Sequence, residues 1–327
     1  MTLDIAHLAQ TVEKELFNFL ATYKQPEGLY QPIQYALEGG GKRLRPVLTL
    51  LANRMVGGRE EEVLPAAIAL EIFHNFTLLH DDVMDNSLLR RGRPSVPAEY
   101  GLSAAILSGD AMFALAYKAL MQLPREYIVE AMRHFTNMSI GIMEGQQWDM
   151  DFEWREKVAM EEYIRMIHNK TAVLLGAALQ IGGYVGGAST PVTEDLYQVG
   201  IDMGIAFQLK DDYLDVYGDE KVFGKPIGGD IEENKKTWLL IKAREIASLR
   251  KEQEVLELAL GITSSKKEKY DAVRAIYDRY EIDRLVKKEI LFYSNRADKK
   301  LLSIPNLEET SMQLLQSLIH TLAERSI

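Results

Sequence analysis

The 327-residue chain contains no cysteine, which excludes disulfide bonds and zinc sites built on thiolates. It also lacks an excess of basic residues, because its formal charge is −10, and a nucleic-acid-binding surface requires the opposite sign. The first residues, MTLDIAHLAQ, lack the basic and apolar regions of a secretory signal. We therefore expect a cytoplasmic protein that does not bind nucleic acid.

Long uncharged runs are scarce as well, and the stretch Thr171–Thr190 is the one that needs comparison with a membrane span. Gln180 and five glycines make this stretch less apolar than a spanning helix. It also follows the charged segment EEYIRMIHNK without a break. We interpret the stretch as a buried helix that faces a cavity, and we expect no membrane span.

Strand-like alternation is nearly absent, and apolar residues recur every three or four residues in most of the chain, which predicts an all-α fold. No linker rich in proline, glycine or serine divides the sequence, so we expect a single domain over residues 1–327. We place the helices at residues 5–22, 29–38, 43–57, 61–86, 102–121, 125–146, 158–187, 192–217, 233–246, 249–260, 267–277, 281–297 and 307–324.

A group of aspartates at helical spacing lies in the segment HDDVMD. Asp81 and Asp85 are four residues apart, so their carboxylates lie on one face of a helix, one turn apart, and point to the same place. With Asp82 beside them, the carboxylates repel one another unless a cation neutralises them. Oxygen-only ligands suit Mg²⁺, which completes its shell with water and phosphate oxygens. The group therefore predicts a magnesium site for a phosphorylated ligand.

A second group repeats this spacing far along the chain. Asp211, Asp212 and Asp215 lie in FQLKDDYLD, and Gly204, Gln208, Asp211 and Asp215 form a polar stripe on one face of an apolar helix. We expect that stripe to line a cavity. A lone acidic group is more often a solvated helix face, but two copies flanked by apolar helix favour a shared site.

Basic residues accompany both groups. Arg90 and Arg91 in RRGRPS carry planar forks that suit phosphate oxygens. The glycine-rich turn GGGKRLRP presents Lys42, Arg43 and Arg45 at the start of a helix, a second place to hold a diphosphate, although a solvated basic turn is the alternative. It is not a Walker A loop, because the first glycine and the Ser/Thr of that motif are missing.

Five segments, in order, resemble landmarks of the trans-isoprenyl diphosphate synthases, also called polyprenyl synthetases. The resemblance covers nearly the whole chain and implies a large single-domain bundle of helices around a deep central cavity, the isoprenoid synthase type. It also implies that the two aspartate-bearing helices face each other across the mouth of that cavity. The segments are GGGKRLRP, HDDVMDNSLLRRGRPS, NKTA, FQLKDDYLD and GKPIGGDIEENKKT.

The same resemblance implies the site residues. The metal ligands are Asp81, Asp85, Asp211, Asp212 and Asp215, with Asp82 also in the catalytic group. Isopentenyl diphosphate is held by Lys42, Arg45, His74 and Arg91. The allylic diphosphate and the reacting carbon are contacted by Arg90, Lys170, Thr171, Gln208, Lys225 and Lys235, whereas Lys236 points outward. Without the resemblance, His74 is a satisfied core residue and Lys170–Thr171 a surface pair.

These residues suit leaving-group chemistry, for which no nucleophile is needed. Up to three Mg²⁺ ions neutralise an allylic diphosphate as its C–O bond breaks, and dipoles near Lys170, Thr171 and Gln208 stabilise the allylic cation. Isopentenyl diphosphate then attacks with its double bond and loses a proton to the departing diphosphate. The expected activity is head-to-tail prenyl transfer to dimethylallyl, geranyl or farnesyl diphosphate, in a homodimer as the resemblance implies.

Product length depends on the residues one and two turns before Asp81. On an ideal helix Thr77 and Phe73 lie about 40° and 80° from Asp81, and Phe76 about 140° away. The resemblance nevertheless points to Phe76, the fifth residue before the motif, as the main stop. We expect the twenty-carbon geranylgeranyl diphosphate as product, with fifteen-carbon farnesyl diphosphate next.

Two other functions compete with this interpretation. A class I terpene cyclase ionises the same substrates, but it needs only one DDxxD motif and carries a different second metal motif. A non-catalytic partner subunit of a prenyl synthase is a binding module, and it is expected to lose the aspartate motifs. Both motifs and the basic turn are intact here, which favours the synthase.

Overall fold

A computed structural model of the protein describes residues 5–219 and 227–324, and helices make up most of them. The first helices are Ile5–Leu20 (α1), Glu27–Glu38 (α2), Leu44–Met55 (α3), Glu60–Met84 (α4), Val96–Tyr100 (α5), Leu102–Leu120 (α6) and Arg125–Glu153 (α7). They are followed by Met160–Ile167 (α8), the π-helical segment His168–Ala172, Val173–Val185 (α9) and Thr190–Tyr217 (α10). The later helices are Gly229–Glu232, Trp238–Arg250, Gln253–Leu260, Lys266–Arg279, Ile282–Ser303 and Glu309–Glu324.

The strand content of residues 5–219 and 227–324 is one small antiparallel hairpin. Strand Leu89–Arg90 (β1) pairs with Arg93–Pro94 (β2), with Leu89 opposite Pro94. The predicted all-α class is therefore confirmed.

The chain forms two compact units. The first consists of Met1–Thr136, Ala177–Tyr197 and Ile304–Leu315. The second consists of Asn137–Gly176, Gln198–Ser303 and Gln316–Ile327. A single domain around one central cavity stays a prediction.

Helix α4 forms the middle of the core in the first unit. From Ala66 to Phe73 every one of its residues is buried, as in a helix that is surrounded by protein on all sides. Among the described residues it is also the one helix long and apolar enough to cross a membrane, but 72% of its most apolar window is buried inside the protein. The uncharged stretch that the sequence singled out, Thr171–Thr190, does not meet that criterion.

Several helix predictions were wrong at their ends: the helix predicted at 233–246 begins at Trp238, and the one predicted at 281–297 continues to Ser303. Two further errors lie around Gly145. The sequence places a helix end near residue 146, whereas α7 continues to Glu153. A glycine usually weakens or ends a helix. Here Gly145 lies inside α7 because a Cβ at that position would stand only 2.2 Å from the backbone nitrogen of Lys170. The second error is the continuous helix predicted at 158–187, which the π-helical segment His168–Ala172 interrupts.

In the second unit, a buried carboxylate joins α10 to the helix Ile282–Ser303. Asp202 is fully buried and accepts two hydrogen bonds from Arg296, at 2.7 Å from Nε and 2.6 Å from Nη2. Gln198 donates a further bond of 2.9 Å to the same carboxylate. The aspartate is thus buried as a charge but fully paired, the condition under which a buried charge is tolerated.

We expect Arg296→Met to lower the free energy of unfolding by about 2–3 kcal/mol, because the buried carboxylate of Asp202 would keep only the Gln198 bond. The matched control is Arg284→Met, which removes an arginine that is 82% exposed and paired with Glu281 at the surface; it should change stability little. Urea unfolding followed by circular dichroism measures both variants. Equal losses in the two variants would contradict the prediction.

Candidate active site

The first unit brings two arginine-bearing loops together. The hairpin turn holds Arg91 and Gly92 at φ values of 52° and 74°, the left-handed pair that a two-residue hairpin turn requires. This turn places the Arg91 guanidinium against Gly41, where a Cβ would stand 3.0 Å from both terminal nitrogens. The glycine-rich turn and the RRGRPS turn therefore contribute to one basic surface.

Arg43 has a different position from the one predicted for it. Its guanidinium is buried and donates to Glu71 at 2.7 Å, Glu13 at 3.1 Å and the Leu37 carbonyl at 2.7 Å. The backbone of Arg43 is left-handed, with φ of 48°, so its side chain leaves the turn towards the core. Arg43 is a structural residue rather than one that the turn presents, which corrects the expectation for this residue.

Glu71 is the negative charge at the centre of this basic surface. It is 2% exposed, pairs with Arg43 and accepts a 3.0 Å bond from the Asn75 amide. Its second oxygen, Oε2, and the Nε of Arg45 are buried without a hydrogen-bond partner. One buried carboxylate thus serves several arginines, and the surface keeps an excess of positive charge.

His74 shares this surface with the arginines. Burial, and then the charges of Arg45, Arg91, Arg90 and Arg43, hold the pKa of His74 well below its usual range. Burial and the neighbouring Arg91 also lower the pKa of Arg45 to about 10, although Glu71 opposes them. His74 is therefore a neutral hydrogen-bonding group beside charged arginines. It can contact an anion without adding a further positive charge to the cluster.

The three aspartates of the first group differ in burial and in partners at the end of α4. Asp82 is 2% exposed and accepts bonds from Arg90 at 2.9 Å and 2.6 Å. Burial raises the pKa of Asp82, although Arg90 opposes that shift. Asp81 is half-buried, and Asp85 is exposed just after the helix ends. Asp82 and Arg90 also line a small cleft together with Arg91.

An aromatic cluster lies before the aspartates on α4 and extends to neighbouring helices of the first unit. Its ring centroids are 5.0–5.9 Å apart between neighbours, within the range of favourable aromatic pairs. Its members are Phe73, Phe76, Phe113, Tyr117 and Phe135.

The candidate chain-length residues occupy different positions in this cluster. Phe73 is fully buried, whereas Phe76 is 7% exposed and also packs its ring against His80 at 4.7 Å. The Thr77 hydroxyl donates to the His74 carbonyl at 2.8 Å, so its polar group is satisfied within α4. The helical wheel does not show that Phe73 and Phe76 share one cluster.

In the second unit, a chain of hydrogen bonds surrounds Asp212. Tyr163 donates to Asp212 Oδ2 at 2.5 Å, and the Gln208 amide donates to Oδ1 at 3.1 Å. The Thr171 hydroxyl donates to Gln208 Oε1 at 2.9 Å. Burial raises the pKa of Asp212, while the bonds from Tyr163 and Gln208 oppose that shift.

Asp149 on α7 pairs with two lysines of this unit. Lys170 Nζ lies 2.5 Å from Asp149 Oδ2, and Lys235 Nζ lies 4.0 Å from the same oxygen. Lys236 instead donates to the Glu153 carbonyl at 3.1 Å, which supports the choice of Lys235 as the site lysine. Lys225 lies outside the described residues.

Asp215 and Asp230 complete the acidic side of the second unit. The Asp230 backbone donates to Asp215 Oδ2 at 3.0 Å. Burial raises the pKa of Asp215, and burial together with the charges of Asp212 and Asp215 raises the pKa of Asp230. Several carboxylates therefore lie close together in partly buried surroundings, and such a group can be stabilised by an added cation.

The π-helical segment places Lys170 and Thr171, and two glycines make room for it. A Cβ at Gly145 would overlap the Lys170 backbone, and one at Gly204 would stand 2.5 Å from the Ala172 Cα. Gly204 is therefore a packing position, and the expectation that it lines a cavity with Gln208 was wrong. Short π-helical turns inside helices often occur at functional sites.

The donors of both aspartate groups fit magnesium in their chemistry, because all of them are carboxylate oxygens. Across residues 5–219 and 227–324, however, no group of three His, Cys, Asp or Glu side chains has the arrangement of a preformed metal centre. Within the motifs, Asp82 faces Arg90, and Asp212 faces Tyr163 and Gln208. The expectation that Asp81 and Asp85 share a magnesium ion, whose shell water and phosphate oxygens complete, stays a prediction.

Sequence reasoning missed Tyr163, Asp149 and Asp230 as site residues. Tyr163 lies seven residues before Lys170, or two turns along a helix, and its aromatic side chain gives the same signal as any core residue. Asp149 lies on a polar face of α7, beyond the predicted helix end. Asp230 is part of a recognised segment, GKPIGGDIEENKKT, but it served only to align the lysines after it.

Comparison with known sequences agrees with this geometry. The chain is 40% identical over 274 residues to the geranylgeranyl diphosphate synthase of Sulfolobus acidocaldarius, with 83% of each chain covered. It is 36% identical over 307 residues to the geranylfarnesyl diphosphate synthase of Aeropyrum pernix, covering 92% of this chain and 95% of the relative.

Solved structures show the same fold. A crystal structure of a geranylgeranyl pyrophosphate synthase superimposes with a TM-score of 0.92 at 38% identity, over 100% of both chains. The geranylgeranyl pyrophosphate synthase of Corynebacterium glutamicum, complexed with isoprenyl diphosphate and magnesium, has a TM-score of 0.89 at 26% identity, over 99% of this chain and 100% of that one. Residues 26–279 match the family described as polyprenyl synthetase, and the chain therefore belongs to the polyprenyl synthetase family.

Proposed function

We propose that this protein condenses isopentenyl diphosphate head-to-tail with allylic diphosphates to make a prenyl diphosphate of fifteen to twenty carbons, with geranylgeranyl diphosphate favoured. The observation that carries the proposal is the hydrogen-bonded group of Thr171, Gln208, Asp212 and Tyr163 in the second unit, and the basic surface of the first unit supports it separately. The geranylgeranyl names of the relatives support the twenty-carbon product, and their synthase names disfavour a terpene cyclase.

Isopentenyl diphosphate would bind at the basic surface of the first unit. Arg45 and Arg91 supply fixed charges, Lys42 lies on the same turn, and His74 supplies a neutral hydrogen bond. Since Glu71 balances only part of the arginine charge, a diphosphate would complete the neutralisation. Arg90 already forms an ion pair with Asp82. It would therefore bind the allylic diphosphate while it also neutralises that carboxylate.

The metal would be held by Asp81, Asp85, Asp211 and Asp215, with Asp212 supported by Tyr163 and Gln208. When bound, up to three magnesium ions would supply Lewis-acid neutralisation of the leaving diphosphate. The magnesium in the Corynebacterium relative supports this use of a divalent ion.

The reacting carbon would lie near the π-helical segment. As the allylic C–O bond breaks, Lys170 and Lys235, with Lys225 by resemblance, stabilise the diphosphate that leaves. The oxygens of Thr171 and Gln208 stabilise the allylic cation. The double bond of isopentenyl diphosphate then forms the new C–C bond, and its proton passes to the departing diphosphate.

The first prediction for this function concerns the metal ligands. With isopentenyl diphosphate, an allylic primer and Mg²⁺, mass spectrometry should detect a longer prenyl diphosphate, and excess chelator should abolish it. Asp81→Ala and Asp211→Ala should each lower kcat by about 100-fold or more.

Asp271→Ala is the matched control, because Asp271 is exposed on the helix Lys266–Arg279, and it should keep wild-type activity. Full turnover in chelator, or wild-type kcat in Asp81→Ala or Asp211→Ala, would refute the assignment of these ligands.

Product length should depend on Phe76. Phe76→Ala removes a ring from the aromatic cluster and should shift the products to twenty-five carbons or more, whereas Phe76→Leu fills much of the space and should shift them less. Sizing of the products by mass spectrometry, with the melting temperature of each variant, measures the effect. Unchanged products from a folded Phe76→Ala variant would contradict this role, and a wild-type product of thirty carbons or more would contradict the short-chain assignment.

A homodimer is supported by an exposed apolar face on α6. Leu102, Ile106 and Leu107 are 57%, 42% and 59% exposed and lie on one side of the helix. Light scattering should give twice the 37.1 kDa mass of the chain. Leu107→Lys should shift the protein towards monomer, because a charge at a buried contact is costly. Leu258→Lys, at a leucine 75% exposed elsewhere, should not. A wild-type monomer at micromolar concentration would reject the dimer.

Cytoplasmic location stays a prediction.

A further inference from the structure

The bonds around Asp212 have a direction that the residue types impose. An ionised carboxylate only accepts hydrogen bonds, and both oxygens of Asp212 have a donor: the Tyr163 hydroxyl at Oδ2 and the Gln208 amide at Oδ1. The amide nitrogen of Gln208 must therefore face Asp212. Its carbonyl oxygen, Oε1, consequently faces Thr171.

Thr171 receives its orientation from that carbonyl. An amide oxygen only accepts, so the Thr171 hydroxyl must donate its hydrogen across the 2.9 Å contact to Gln208 Oε1. The lone pairs of Thr171 are then left to face other groups. A free hydroxyl would rotate between its staggered positions and present its hydrogen to the site part of the time.

Tyr163 is the fixed end of this chain. Its side chain is 1% exposed on α8, and its hydroxyl donates to Asp212 Oδ2 at 2.5 Å. The opposite end is fixed sterically, because Gly145 and Gly204 admit the backbone on both sides of Thr171. The position of Thr171 and the direction of its hydroxyl are thus set by different parts of the second unit.

We propose that Tyr163 is a positioning residue that acts through Asp212 and Gln208 to turn the oxygen lone pairs of Thr171 towards the allylic carbon as it becomes cationic. This inference rests on the proposed prenyl transfer and adds a residue to it. Without the Tyr163 hydroxyl, the Asp212 carboxylate can rotate, and the Gln208 amide is no longer held with its nitrogen towards Asp212 and its oxygen towards Thr171. The Thr171 hydroxyl can then point its hydrogen at the cation. The expected loss is therefore in ionisation of the substrate, not in its binding.

The test compares Tyr163→Phe with Tyr293→Phe. Tyr293 is a buried tyrosine of the same unit whose ring packs against Arg296, so the control removes an equal hydroxyl away from the site. For each, a single-turnover experiment measures the rate of condensation of geranyl diphosphate with isopentenyl diphosphate. Titration with geranyl S-thiolodiphosphate, whose C–S bond does not ionise readily, measures binding alone.

Tyr163→Phe should slow single turnover by about 10-fold to 100-fold and change the affinity for the thiolo analogue by less than about 3-fold. Tyr293→Phe should change neither. In a Thr171→Val background, where no hydroxyl remains to be oriented, the Tyr163→Phe effect should shrink to less than about 3-fold.

Three outcomes would overturn the inference. The first is a Tyr163→Phe rate equal to wild type, and the second is a loss of analogue affinity as large as the loss of rate. The third is an undiminished effect in the Thr171→Val background, which would mean that Tyr163 does not act through Thr171. A wild-type enzyme that makes no prenyl product would instead reject the proposed function, so the two failures are distinguishable.

Discussion

The repulsion between like charges in partly buried surroundings is the constraint on which the rest of this structure depends. In the first unit several arginines lie together, and one buried carboxylate, Glu71, holds the innermost of them, Arg43. In the second unit several carboxylates lie together, and Asp149 holds Lys170 and Lys235 beside them. The basic surface of the first unit is therefore suited to an anionic ligand, and the carboxylate cluster of the second unit is suited to cations.

The first aspartate group shows how far helical spacing can predict a site. Spacing correctly placed Asp81, Asp82 and Asp85 at the end of one helix, because side chains three and four residues apart share a face. It could not show that Asp82 turns inward, since its partner Arg90 lies in a hairpin strand, just before the turn, whose position depends on tertiary packing. Arg43 was misplaced for the same reason, because Glu71 lies 28 residues away in the sequence.

The all-α class and most helix bounds followed from apolar periodicity, but glycine was misleading. In isolation a glycine weakens a helix, so Gly145 marks an apparent end. In the folded protein the absence of a side chain at Gly145 matters more than the low helix propensity of glycine, because the backbone of Lys170 occupies the space that a side chain would need. A close approach between segments far apart in sequence has no local signal. The Tyr163 bond to Asp212 is hidden in the same way, behind a residue type that is ordinary in any core.

The π-helical turn also has an effect beyond the residues that it presents. Such a turn contains one residue more than the α-helical turn that it replaces, and each residue of an α-helix corresponds to about 100° of rotation. The insertion therefore advances the phase of helix Val173–Val185 by most of a third of a circle relative to an uninterrupted helix. The direction in which each side chain of that helix points therefore depends on the π-helical turn that precedes it. A change that returned His168–Ala172 to α-helical geometry would act as a frameshift in space, with the amino-acid sequence unaltered but its apolar stripe pointing elsewhere.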